Sequence, residues 1–359
     1  MSTLSQAVSE TACQPIVNAQ AWYGPHMASQ PNEWLHRWSA DEIAEIEAAV
    51  MRVKGQAHDL MQMSKSEFQL PTISRRLESI KRYVLDGPGF YLLRGLPISR
   101  WSIEEAATAF WGLGLHLGEP CSQNGKGHVL GHVKNLGLDY QDPATRGYQT
   151  NARLPYHTDS SDVVGLLCLK TSKSGGLSSI VSSTTLYNEV LKQRPELLAN
   201  LMRPFYRTRW GEVPEGKQSW AEIPVFMEHR GRIIAHYVRS AIRKGQLLEG
   251  VPVLTTEQEE ALDFLDELSS DPALHLDMTF EPGDVQLVCN HSTMHSRTAY
   301  EDFEQPEDRR HLLRLWLACA NGPALPDWMT QSYEGATQDG RPNGILVPGV
   351  PLHAPLAAE

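Results

Sequence analysis

In the stretch Tyr156-His157-Thr158-Asp159 an imidazole and a carboxylate stand two residues apart. In an extended strand, side chains at i and i+2 leave the same face, so both groups can be aimed at one point in space. Imidazole and carboxylate are donors that suit non-haem iron(II). A second histidine brought in from elsewhere would leave open the metal positions that oxygen chemistry requires. His291 and His295, in the later stretch Asn290-His291-Ser292-Thr293-Met294-His295, are candidates for that third leg. Alone, the spacing is a weak signal: the chain holds 14 histidines, and a loop histidine bonded to a nearby Asp is the commoner arrangement.

A second feature is a cation in apolar company. Arg314 sits among Leu313, Leu315, Trp316 and Leu317 in a run that reads as a strand. A buried charge without a counter-charge costs several kcal/mol, so Arg314 calls for an anion, either a core Asp or Glu or a ligand. Arginine suits a carboxylate ligand because its planar fork bonds both oxygens at once and stays charged when buried. Arg310, four residues earlier, shares the same strand face by even spacing.

The elements that must position these groups can be read in outline. Residues 1–38 are polar, with Trp22, Trp34 and Trp38 interspersed, and read as an irregular arm on the body of the protein. Ser39-Ala40-Asp41-Glu42 and Ser102-Ile103-Glu104-Glu105 have capping-box form and open two helices. The second is expected to close at Gly112, Gly114 and Gly118-Glu119-Pro120. Another helical pattern runs near 73–84, and Phe90-Tyr91-Leu92-Leu93-Arg94 is the first strand of the main sheet. Between 121 and 185, short apolar runs such as Val163-Val164-Gly165-Leu166-Leu167-Cys168-Leu169 alternate with Gly, Ser and Asn. That is the texture of a β sandwich or barrel with functional loops. Helices follow over 184–201, broken at Pro195, and over 255–268. Pro282-Gly283-Asp284 turns into a strand over 285–290, and the tail from Gly322 onward is rich in Pro and Gly and reads as a surface wrap.

Composition narrows the function. The chain has 359 residues, 41% hydrophobic and 21% charged, enough for a full core; with no clear linker, one domain is favoured over two. A formal net charge of -11 argues against nucleic-acid binding. Five cysteines without paired spacing argue against a disulfide framework, and no apolar run reaches spanning length. The expectation is a cytoplasmic protein with a small-molecule substrate and no membrane or nucleic-acid partner; self-association stays open.

Four motifs in order give these residues a family resemblance: Tyr156-His157-Thr158-Asp159, Gly175-Gly176-Leu177-Ser178, Pro282-Gly283-Asp284 with Asn290 and His295, and Arg309-Arg310-His311-Leu312-Leu313-Arg314-Leu315-Trp316-Leu317. From roughly 90 to 317 the sequence resembles the TauD/TfdA-like taurine/2-oxoglutarate dioxygenase family of iron(II)- and 2-oxoglutarate-dependent oxygenases. The resemblance implies an α+β fold with a mainly β core, a double-stranded β-helix (jelly roll, cupin-like) with an N-terminal helical layer and flanking helices. Its implied boundaries are 1–89 for arm and helical layer, 90–321 for the catalytic core and 322–359 for the tail.

The resemblance also implies Fe(II), 2-oxoglutarate as co-substrate and O2, with succinate and CO2 as co-products and hydroxylation of an unactivated C–H bond as the default outcome. Since the family's distal histidine lies five residues after the Asn, it selects His295 over His291, making His157, Asp159 and His295 the metal ligands. Arg314 is then expected to hold the far carboxylate of 2-oxoglutarate, with Ser178 assisting and Arg310 touching the keto-acid end or the rim. Asp159 argues against the halogenating branch, where a small residue stands in its place. Substrate contacts are expected from loops and their neighbours: Gln123, Asn151, Arg153, Trp210 and Tyr237, a set that suits a small organic acid or a polar natural-product intermediate. The rivals are a zinc hydrolase on the same ligands, which would have no use for Arg314 or the Gly-Gly motif, and a non-catalytic jelly-roll binding protein, which should have lost a ligand.

Overall fold

The structure, a computed structural model, describes residues 13–55, 59–139, 145–213, 216–326, 329, 341–342 and 344–358. The first twelve positions of the expected arm and positions 330–340 of the expected wrapping tail lie outside the described residues.

Two sheets face one another. The larger has seven strands, ordered Leu35–Arg37, Phe90–Arg94, Val285–Cys289, Val163–Lys170, His311–Ala318 and Glu119–Cys121, with Leu130–Lys134 also paired to His311–Ala318. The smaller has four: Leu276–Met278, Ser178–Ser182, Thr293–Arg297 and Leu154–His157. Folding two sheets together limits exposed edges and leaves a mouth for ligands, as in a jelly roll.

Alternation along His311–Ala318 shows how the core is sorted. Leu313, Leu315 and Leu317 pack outward into the cluster formed with the helices Ala40–Lys54, Ser74–Asp86 and Ile103–Leu117. Leu312 and Trp316 face inward with Ile180, Leu276 and Met278 of the smaller sheet. The period of two carries Arg314 inward with them, which is how a cation comes to lie between the sheets. A third cluster packs the helices Ser183–Gln193, Pro195–Leu201 and Thr256–Ser269 against Tyr156, Val181 and Met294 on the back of the smaller sheet.

The capping boxes form at Ser39 and Ser102, and a third at Thr255. Two expectations are corrected. The helix opened by Ser102 runs to Leu117 and closes at Gly118, as expected of Gly118-Glu119-Pro120, but not at Gly112 or Gly114, because both of these glycines serve close packing. A Cβ at Gly112 would lie 2.4 Å from the Phe68 ring, and one at Gly114 would lie 2.8 Å from Leu315. The arm is not wholly irregular: Leu35–Arg37 adds a parallel strand to the edge of the main sheet, so the sheet begins well before position 90. Trp22 and Trp34 anchor the arm, their rings 5.1 and 5.7 Å from that of Phe90.

One buried pair predicts a pH effect on stability. His132 Nδ1 and His311 Nε2 are 2.8 Å apart, and burial followed by the neighbouring His132 pushes His311 down to about 3 from its ordinary 6.5. Below about pH 6.5 the unfolded chain binds a proton at this position that the folded chain refuses, so stability is lost as pH falls from there toward 3. At pH 5 the expected loss from this residue is about 2 kcal/mol relative to pH 7.5. Denaturant melts at the two pH values check it: His311→Asn should shrink the difference between them by a comparable amount.

Candidate metal centre and its cavities

The smaller sheet brings the two histidines together. Thr293–Arg297 and Leu154–His157 are antiparallel neighbours in which His295 is the direct cross-strand partner of His157. Their ring centroids are 4.2 Å apart. Asp159 lies two residues past the strand end; its Oδ1 is 4.0 Å from His157 Nε2 and its Oδ2 is 3.8 Å from His295 Nε2. One ligand atom from each residue falls within 4.8 Å of the others, the donor set of two imidazoles and one carboxylate that a divalent metal takes.

The surroundings hold each donor in the form a metal needs. His157 Nδ1–H donates to the Pro155 carbonyl at 2.8 Å, leaving Nε2 as the free lone pair toward Asp159. Burial, then His157, pushes His295 down to about 3, so it stays neutral. Burial alone would raise the Asp159 carboxyl, but Arg314, then His295 and His157, hold it below the ordinary carboxylate value. The backbone is fixed as well. Asn290 Oδ1 accepts from the Asp159 N–H at 2.9 Å, and its Nδ2 donates to the Ser161 carbonyl at 3.1 Å. His291 points elsewhere, to Asp162 at 2.7 Å, where Arg341 and the Cys319 N–H also converge.

A cavity of about 370 Å³ opens onto His157 and Asp159, and Tyr148, Trp210, Arg314 and Trp316 are among its walls. Arg314 stands at its metal end: Nε donates to Gln123 Oε1 at 2.7 Å, Nη1 is 3.6 Å from Asp159 Oδ2, and the guanidinium lies 4.7 Å over the Tyr148 ring. A second hollow of about 390 Å³ is walled by Cys168, Gly175, Gly176, Leu177, Phe280 and Arg310. Arg310 is 4% exposed, its Nη1 has no hydrogen-bond partner, and burial drives its pKa down. Among the described residues no carboxylate forms an ion pair with it. Gly176 explains part of this space: its φ is +70°, and a Cβ there would come within 3.1 Å of Arg310 Nε.

Several expected contacts are placed differently. Ser178 does not stand with Arg314; its hydroxyl donates to Gln286 Oε1 at 3.0 Å. Gln123 lines the cavity beside His157 and Asp159, but its amide is consumed, donating to the Val129 and Arg314 carbonyls while accepting from Arg314. Tyr237 is fully buried and donates its hydroxyl to Asp266 at 2.6 Å, while its backbone brackets Thr158. Asn151 donates to the Tyr300 carbonyl and Arg153 reaches Ser270 at the surface; neither lines the cavity. Trp210 does, in a left-handed backbone (φ 56°), with Arg146 4.6 Å and Lys244 4.3 Å over its ring. Arg146 and Glu212 are walls the sequence reading did not name as site residues, whereas Tyr148 opens the polar stretch 148–153, just upstream of the ligands, that it offered as a mouth-lining loop.

Comparison with known proteins agrees with this geometry. Over 336 residues, 92% of this chain and 98% of the relative, the sequence is 30% identical to FR-33289 synthase of Streptomyces rubellomurinus. It is 28% identical over 308 residues, 82% of this chain and 77% of the relative, to taurine hydroxylase-like protein SAT17 of Stachybotrys chartarum. The fold superimposes with a TM-score of 0.60 and 18% identity on asparagine oxygenase in complex with Fe(II), 3-hydroxyasparagine and succinate, covering 79% of this chain and 93% of that one. Residues 56–316 match the model of the taurine catabolism dioxygenase TauD, TfdA family, and the chain belongs to that family of iron(II)- and 2-oxoglutarate-dependent oxygenases.

Proposed function

We propose that His157, Asp159 and His295 hold the iron and that the enzyme hydroxylates a C–H bond of a small organic acid or polar natural-product intermediate in the cavity that opens onto His157 and Asp159. The observation that carries this reading is the convergence of the three donors beside a cavity that opens onto His157 and Asp159 and also presents Arg314. When bound, the iron and 2-oxoglutarate supply the oxidising chemistry, with succinate and CO2 as co-products. The chain's own residues bind, orient and keep water away.

The expected roles of the two arginines exchange in this proposal. Arg314 already meets Asp159 and Gln123 and faces the open cavity, which suits it to the substrate's anionic group, with Tyr148 beneath it. Arg310, buried in the second hollow with no ion-paired carboxylate among the described residues, is suited to the far carboxylate of 2-oxoglutarate. Ser178 contributes through Gln286 rather than directly. Chains bearing the names taurine hydroxylase-like protein and asparagine oxygenase support a small charged substrate. The zinc-hydrolase alternative needs a free general base beside the metal. Glu212, the other carboxylate of the cavity wall, is tied to Arg146 and the Gly125 N–H, both at 2.7 Å.

We read the chain as one catalytic domain, because the N-terminal helices share a hydrophobic core with the main sheet. All five cysteines are free, and no helix among the described residues is long and apolar enough to cross a membrane; a cytoplasmic location fits both.

Anaerobic addition of iron(II) and 2-oxoglutarate should give a weak visible charge-transfer band, and air should then yield succinate. Absence of both would sink the reading. Screening small acids for substrate-stimulated succinate release identifies the substrate class. With that substrate, Arg314→Leu should raise its KM about 10- to 100-fold, the effect of losing a charge-assisted pair, while 2-oxoglutarate KM changes by less than about threefold.

A further inference from the structure

The two oxygens of Asp159 are not equivalent. On distance either could meet a metal, since Oδ1 is 4.0 Å from His157 Nε2 and Oδ2 is 3.8 Å from His295 Nε2. Oδ2, however, accepts the indole N–H of Trp316 at 2.8 Å and has Arg314 Nη1 at 3.6 Å. An indole nitrogen only donates, and Trp316 is 5% exposed, so without Oδ2 its N–H would be a stranded buried donor. Nor can the ring easily follow a swinging carboxylate. Trp316 is held on both sides of its strand, opposite Val164 and Cys121. The other end of Asp159 is fixed by Asn290. The carboxylate is thus gripped at its backbone and at one oxygen, while the second oxygen faces His157.

We propose that Trp316 is a positioning residue that keeps Oδ2 of Asp159 off the metal and so makes Asp159 a single-oxygen ligand through Oδ1. The proposal rests on the reading of His157, Asp159 and His295 as the metal ligands. Its consequence concerns the open positions. A carboxylate that bound through both oxygens would occupy one of three positions needed by the keto acid and O2, so the indole N–H preserves the vacancy on which oxygen chemistry depends. Arg314 assists from the same side, its guanidinium 5.2 Å over the Trp316 ring.

The test uses Co(II) alone as the probe, whose visible spectrum responds to coordination number. Trp316→Phe keeps an aromatic ring and removes the N–H. It should melt as one cooperative unit, bind Co(II) about 10-fold or more weakly, as when an outer partner of a ligand is lost, and show an altered Co(II) spectrum. It should also release more succinate per turnover of substrate than the wild type. An unchanged Co(II) affinity and spectrum in the folded variant would overturn the proposal. A crystal structure of the Co(II)-loaded wild type decides the point even if the variant fails to fold. Oδ1 on the metal with Oδ2 still on Trp316 supports it, whereas Oδ2 or both oxygens on the metal overturns it. His157→Ala and His295→Ala are the controls for the underlying reading. If they bind Co(II) as the wild type does, the ligand assignment itself has failed, and if they lose it while Trp316→Phe is unaffected, only the role of Trp316 has.

Discussion

His295→Ala is expected to abolish oxygenase turnover, with a fall in kcat/KM of at least about a thousandfold, beyond the ten- to hundredfold typical of losing an outer partner of a ligand. The fold should survive. The backbone pairing of Thr293–Arg297 with Ser178–Ser182 and Leu154–His157 does not depend on the imidazole. His295 is also a poor contributor to the stability of the metal-free chain. It is 8% exposed, its Nδ1 has no hydrogen-bond partner, and burial holds it far from its ordinary protonation range. Removing a buried polar group that is only half satisfied costs little beyond the cavity it leaves. The metal-free variant should therefore melt within a few degrees of the wild type. Added metal should separate them, because a ligand that binds only the folded state raises its melting temperature. Iron(II) or Co(II) should raise the wild-type Tm and leave that of the variant where it was. A variant that retains both turnover and metal-induced stabilisation would remove His295 from the site.

How much of this was legible in the sequence depends on the range of the interaction that fixes each residue. His157 and Asp159 could be read locally, because strand geometry puts i and i+2 on one face. His295 could not: its cross-strand register with His157 spans 138 positions of chain and is set by the jelly-roll pairing, so only the order of family motifs singled it out over His291. The helix starts at Ser39 and Ser102 were legible because a capping box is local chemistry, and the helix over 255–268 because its apolar residues recur at helical spacing. Gly112 and Gly114 misled for the opposite reason. They resemble a helix end, but the Phe68 ring and Leu315 that require their missing side chains come from elsewhere in the chain.

Polar residues near the ligands were the least legible. Gln123, Asn151, Arg153 and Tyr237 all carry groups that a substrate could use. Tertiary partners claim them: Arg314 for Gln123, the Tyr300 carbonyl for Asn151, Ser270 for Arg153 and Asp266 for Tyr237. Even spacing grouped Arg310 with Arg314 on one strand face, but Arg310 precedes the strand His311–Ala318, and spacing does not reveal which cavity each side chain lines.

That distinction yields the second large effect. Arg310→Leu should raise the 2-oxoglutarate requirement at least about a hundredfold, at the upper end of what a charge-assisted pair contributes, while leaving Co(II) affinity within about threefold of the wild type. The guanidinium is 4% exposed, with no ion-pair partner among the described residues and an unpartnered Nη1, so in the unliganded protein it bears the cost of a buried charge. The dicarboxylate's far end would meet that charge, and the planar fork can bond both of its oxygens. Leucine fills much of the volume and removes the desolvation burden, so the unliganded variant should be as stable as the wild type or more so. Stability and co-substrate affinity would then move in opposite directions, which a merely structural arginine could not produce. The comparison with Arg314→Leu fixes the assignment. If Arg314→Leu instead abolishes 2-oxoglutarate binding while Arg310→Leu affects only stability, the far carboxylate is held at the open cavity and the two arginines have the roles first expected of them.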